Sequence, residues 1–236
     1  MTIVSRFLFA LNALTLLSAC TGSGGDSAPD GSADSDTASH DDTAPSQAWC
    51  GGYANYVHAG QSWTYDYPDL DATFDAWVVA ATDAEATVET TRTYADGSST
   101  TTWEYPYHYG CGAAGIFVRG YSLSYTTSDA SGTRVSQLSV VNHTECPLLK
   151  AEMAAGDSWD CTLELTISSD ESGDDDYVEQ YHVEVADAGT VTVPAGSWPA
   201  LQVAVTRDQS VTWTEDYAYE VGLVRDQLKE LTSYVE

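Results

Sequence analysis

The chain has 236 residues, 36 Asp+Glu against 8 Lys+Arg, and a formal charge of -28. That length suits one domain, or two small ones, with room for a real core. The charge argues against nucleic acid and anionic membrane surfaces, which need Lys/Arg clusters, and the dominance of Thr, Ser, Val, Tyr and Gly argues against a mostly helical protein.

Residues 1–19 read MTIVSRFLFALNALTLLSA: one basic residue, Arg6, then an apolar run from Phe7 to Leu17. The run is too short and wrongly flanked for a spanning helix, so it reads as an export signal. Leu17-Ser18-Ala19-Cys20 resembles a bacterial lipobox. That resemblance implies removal of residues 1–19 and a diacylated sulfur on Cys20, hence a membrane partner reached through covalent lipid. It places the protein in the cell envelope, and Thr21 directly after the cysteine fits outer-membrane sorting. An ordinary secretory signal with a chance cysteine is the plainer alternative. Residues 21–48 hold six Asp, no Lys or Arg and almost nothing apolar. Such a segment buries too little surface to offset its ordering entropy, so 20–48 reads as a lipidated cysteine on a disordered, extended acidic tether. No EF-hand-like loop interrupts it.

The folded domain is expected over 49–236. With Cys20 assigned to lipid, Cys50, Cys111, Cys146 and Cys161 form an even set in an exported domain, which reads as disulfides. Three connectivities are open, and no C-x2-C pair suggests zinc. An internal duplication favours one of them. Cys50 is followed by Gly60-Gln61-Ser62-Trp63, and Cys146, at the same spacing, by Gly156-Asp157-Ser158-Trp159. Thr102-Trp103-Glu104 precedes Gly115-Ile116-Phe117-Val118-Arg119, as Thr212-Trp213-Thr214-Glu215 precedes Gly222-Leu223-Val224-Arg225. The offsets run from about 96 to 110 residues. Two similar halves, 49–145 and 146–236, would each hold one disulfide: Cys50–Cys111 and Cys146–Cys161.

Within each half the period is two. Trp159, Cys161, Leu163, Leu165 and Ile167 alternate with Asp160, Thr162, Glu164 and Thr166. Tyr121–Tyr125, Tyr181–Val185 and Leu201–Val205 repeat the pattern, the signature of antiparallel sheet with one wet face. Asp96-Gly97 and Ser172-Gly173-Asp174 read as hairpin turns. About a dozen short strands predict an all-β domain: a strongly curved antiparallel sheet, half-barrel or barrel.

Candidate chemistry is sparse. Gly156-Asp157-Ser158 lacks the G-x-S-x-G of a nucleophile elbow and reads as a turn feeding a strand. The histidines show no ligand spacing, and His182 falls on the polar face of its strand. Asp170, Glu171 and Asp174–Asp176 read as a solvated hairpin tip rather than a calcium site. No catalytic residue, metal or cofactor is assigned. The rings are the most suggestive feature, 7 Trp, 15 Tyr and 4 Phe, with four in Trp103–Tyr109. Most belong to a core short of Leu and Ile, and a surplus could line an apolar pocket.

Val191-Thr192-Val193-Pro194-Ala195-Gly196-Ser197-Trp198-Pro199-Ala200-Leu201, followed by Tyr219-Glu220-Val221-Gly222-Leu223-Val224, resembles a group of Gram-negative lipoproteins of unknown function. The group carries a V-P-A-G-(aromatic)-x-A-L … G-L-V signature. The match spans about 147 to the end and departs at Glu220-Val221-Gly222 and in the extra cysteines. It implies a curved sheet distantly like the periplasmic lipoprotein carriers, and no reaction. The expectation is a lipid-anchored, non-catalytic binding module for an apolar ligand or an envelope partner, with Trp63, Trp159 and Trp213 as candidate lining. A structural envelope protein with a filled core is the alternative, and a hydrolase using dispersed carboxylates is a third.

Overall fold

The computed structural model describes residues 51–236 except 54, 56–57, 71, 83, 97, 113–114, 151 and 170–172. The signal segment 1–19, Cys20, the tether to 48, Cys50, Asp170 and Glu171 therefore lie outside the described residues, and the fold belongs to the unit Gln47–Glu236. Six strands come from the first half: β1 (Ser62–Asp66), β2 (Ala72–Ala81), β3 (Glu85–Asp96), β4 (Ser99–Gly112), β5 (Gly115–Asp129) and β6 (Gly132–Asn142). Six come from the second: β7 (Ser158–Ser169), β8 (Gly173–Val193), β9 (Gly196–Arg207), β10 (Val211–Ala218), β11 (Gly222–Asp226) and β12 (Glu230–Val235). Each pairs antiparallel with the next, and β12 returns to β1. The barrel is closed.

Alternation sets the two faces. On β8, Tyr181, Val183 and Val185 are buried while Gln180, His182 and Glu184 are exposed, and β7 does the same with Leu163 and Leu165 against Asp160, Thr162 and Glu164. Ionisable groups spread along an outer wall would not tolerate hydrocarbon, so this wall faces water. Several strands exceed the expected short lengths: β5 has 15 residues and β8 has 21. The sequence pattern stops after Val185 because the register shifts between Asp187 and Gly189, while the strand itself continues to Val193. Pro194-Ala195 then turns the chain into β9. Gly196 suits that position, since a Cβ would lie 2.8 Å from the Trp198 ring and the ring would have to shift.

The two halves share local geometry. Gly60 (φ 101°) donates its N–H to Val78 O at 2.8 Å, and Gly156 (φ 97°) donates to Val185 O at 2.8 Å. Val78 N–H returns to Gln61 O, and Val185 N–H to Asp157 O, both at 2.9 Å. A side-chain oxygen of Gln61 caps His58 N–H at 2.8 Å, as one of Asp157 caps Ala154 N–H at 2.9 Å. Trp103 and Trp213 lie on β4 and β10, the fourth strand of each half, and the Val-Arg pairs on β5 and β11, the fifth. In the second half Cys146–Cys161 is a disulfide, joining the β6–β7 connection to β7 with Cα atoms 5.3 Å apart. Cys111 is also disulfide-bonded.

The barrel ends differ. Where the odd-numbered strands begin, Trp63, Val78, Val88, Val191, Val193, Ala218, Val224 and Leu231 form one apolar cluster. The β8–β9 hairpin reaches across this end, because Ala195 N–H donates to Leu231 O at 3.1 Å, past two intervening strands. This end is capped. The other end, where β8 begins and β9 finishes, is termed the mouth.

Candidate functional site

The inward face changes character along the barrel. Near the capped end Val78, Val88, Val183, Val203 and Leu231 are 0–2 % exposed, as a filled core requires. Toward the mouth the inward positions become Arg92, Trp103, Tyr107, Tyr121, Tyr125, Glu179 and Glu215. All seven are only half-buried. The inward side chains at this level keep some accessible surface, although burial is still strong enough to raise the Tyr121 and Glu215 pKa values.

Charge gathers on this part of the lumen. Arg207 ends β9 buried, its Nη1 3.3 Å from Glu179 Oε1, and Tyr181 Oη donates to the other Glu179 oxygen. Tyr121 on β5, which feels Glu179, and Tyr105 on β4, which feels Arg92, are held protonated far above the usual phenol range, chiefly by burial. Tyr107 bridges them, its ring centroid 6.1 Å from that of Tyr105 and 5.1 Å from that of Tyr121.

A second charged group sits at the β11–β12 turn. Asp226 Oδ1 accepts the N–H groups of Leu228 and Lys229 at 2.7 and 2.8 Å, while Oδ2 meets Lys229 Nζ at 2.6 Å. The ammonium lies 5.6 Å from the Tyr65 ring centroid and 5.2 Å from that of Phe74. Burial opposes this cation, but Asp226 and neighbouring acidic groups outweigh it and raise its pKa. Glu215 sits near it on β10 and takes a 2.8 Å hydrogen bond from Tyr217 Oη. Its pKa is raised by burial, against the lowering effect of Lys229 and Tyr217.

Arg92, on β3, differs from the other two cations. Its guanidinium stands 4.6 Å from the Tyr67 ring centroid and 5.2 Å from that of Trp103. Its Nε is buried without an acceptor, and among the described residues no carboxylate pairs with it. Trp103 in turn packs on Tyr125, centroids 5.5 Å apart.

The tryptophans expected to line a pocket occupy three settings. Trp63 is 2 % exposed in the capped-end cluster, donates Nε1–H to Val221 O at 2.6 Å and stacks on Tyr234. Trp159, half-buried, donates to Pro147 O at 2.6 Å beneath Lys150. Trp213 lies toward the mouth, buried edge-on against Tyr181. The sequence alone does not single out the charged groups of the lumen. Glu179 and Arg207 nevertheless occupy the apolar parity of Tyr181–Val185 and Val203–Val205, and a charge on that parity was the available signal.

Elsewhere, a notch of about 320 Å³ opens beside β6, lined by Ser122, Ser124, Gln137, Ser139, Ser168 and neighbouring Leu side chains, without a charged group. Among the described residues no three His, Cys, Asp or Glu side chains converge as a metal-ligand set. No family model, curated protein or solved structure matches the chain.

Proposed function

We propose that the chain is an exported lipoprotein, held to the envelope by a diacylated Cys20, whose barrel binds a small ligand through its mouth without transforming it. The graded lumen carries this reading. Core packing alone would continue the valine layers of the capped end. Rings and charges instead line the inner wall toward the mouth, in the mixture of apolar walls and few polar groups that ligand sites present. Buried ion pairs such as Glu179–Arg207 add little net stability over an apolar filling, so stability alone gives weak reason to keep them. The lipobox-like Leu17–Cys20 and the acidic tether support outer-membrane anchoring, and the resemblance to Gram-negative lipoproteins agrees with it.

Native mass spectrometry of the full chain, extracted from membranes in mild detergent, tests both parts. A diacylglyceryl mass on a chain starting at Cys20 is expected, with a separate non-covalent adduct of a few hundred daltons. A structural module with a filled core is favoured by the capped-end cluster and the Trp63–Tyr234 stack. It predicts a bare barrel that takes up no added amphiphile.

A further inference from the structure

The inner face of β3–β6 is free of carboxylates over most of its length, in a chain with 36 of them. By register that face carries Ala86, Val88, Thr90, Arg92 and Tyr94 on β3, opposite Thr101, Trp103, Tyr105, Tyr107 and Tyr109 on β4. It continues through Tyr121, Leu123, Tyr125 and Thr127 on β5 to Arg134, Ser136, Leu138 and Val140 on β6. Glu85, Glu89 and Glu104 all fall on the opposite parity. Two cations and no acid therefore share this wall between its tips. Arg134, exposed near the rim, acts on Asp129, which is already bound by Ser131. Arg92 lies deeper, between Tyr67 and Trp103, and among the described residues no carboxylate pairs with it.

The two buried interior cations each have a carboxylate: Arg207 has Glu179, and Lys229 has Asp226. A guanidinium packed on aromatic faces keeps its planar fork free for a bidentate carboxylate. Resting on the ligand-binding reading above, we propose that Arg92 anchors a small monocarboxylate with an apolar body. The carboxylate takes the Arg92 fork, and the body lies against Trp103 and Tyr125, with Tyr67 backing the guanidinium. The same head chemistry is offered by acyl and by aryl acids.

Titration calorimetry with the full chain in detergent-free nanodiscs separates these outcomes, using dodecanoate and naphthoate, each beside its neutral amide. At least one carboxylate is expected to bind tighter than its amide by about tenfold or more, the usual worth of a charge-assisted pair. Arg92→Gln should remove that preference and Arg92→Lys should keep part of it, both with a wild-type near-UV spectrum. Arg119→Gln, on the outer wall beside Glu85, should leave it unchanged. Tighter dodecanoate assigns an acyl ligand, and tighter naphthoate an aryl one. Equal affinity for acid and amide, or a preference that survives Arg92→Gln, overturns the anion site while leaving the pocket. No uptake of any of the four probes overturns both.

Discussion

Trp63 and Trp159 occupy equivalent places in the two halves, and their unequal burial makes a quantitative test. Each is the first ring after a glycine turn, and each donates its indole N–H to a carbonyl at 2.6 Å. Trp63→Phe leaves Val221 O inside the capped-end cluster without a donor, a desolvation cost of about 1–3 kcal/mol. It also removes part of a ring that is 2 % exposed, adding about 1–2 kcal/mol for buried carbon and residual cavity. The total is roughly 3 kcal/mol. Trp159→Phe makes the same chemical change where water can replace the indole at Pro147 O, so about 1 kcal/mol is expected. Urea unfolding with the disulfides intact, followed by the remaining tryptophans, gives both values. Equal costs, or a larger cost at Trp159, would refute the argument that burial rather than motif identity sets the contribution.

Other consequences follow from single groups. Lys229→Met leaves the buried Asp226 carboxylate with its two backbone N–H donors but no counter-charge, and should cost about 3 kcal/mol in the same urea experiment. Burial raises the Glu215 pKa, so its ionisation disfavours the fold: stability is full below the unfolded carboxyl pKa and falls as pH rises through the folded one. Glu215→Gln should flatten that fall in thermal melts across pH, and an unchanged profile would exclude Glu215 as its source. Cys146→Ser opens a link of sequence separation 15, worth about 3 kcal/mol on chain-entropy grounds, read by unfolding against the oxidised parent. His182 hydrogen-bonds Asp160 at 2.7 Å and faces Glu184 at 3.5 Å, which raise its pKa. Its stabilisation is present below the unfolded histidine pKa and lost as pH rises through the folded one, so an NMR titration should show Asp160→Asn lowering the midpoint.

How far the sequence reveals this molecule depends on whether a signal repeats. The alternation in Trp159–Ile167 defines β7 and its inward face, and Gly60 and Gly156 mark equivalent turns because both need positive φ. Curvature and closure were legible only as alternatives, since the β1–β12 pairing joins segments at opposite ends of the domain and leaves no local trace. The site is harder to read. Glu179 and Arg207 could be suspected from parity, but their partnership depends on the β8–β9 register across a hairpin with a bulge. Lys229 precedes a strand and has no parity at all. Arg92 stands in a Thr-rich run whose alternation is weak, and only its ladder partners Phe74 and Trp103 show which face it takes. The Trp motif was strong in sequence because it anchors structure twice. For the same reason Trp63 proves to be core.

The acidity of the whole chain bears on the Arg92 site in a measurable way. A carboxylate approaching the mouth meets the field of the unit 47–236, with 30 Asp+Glu against 7 Lys+Arg and a net charge of -23, before it meets one guanidinium. If those charges act from about 20 Å through water, the repulsion is about 2.5 kcal/mol at 0.01 M salt and below about 1 kcal/mol at 0.1 M, using Debye lengths near 30 and 10 Å. The contact with Arg92 is short and partly shielded from solvent, so salt weakens it far less. Affinity for the carboxylate should therefore rise about tenfold or more from 0.01 to 0.1 M salt, while the neutral amide stays nearly constant. Ordinary anion sites on basic surfaces show the opposite slope. A carboxylate affinity that falls with salt over this range would mean that the ligand meets an exposed cation such as Arg134 at the rim, and not Arg92 between its two rings.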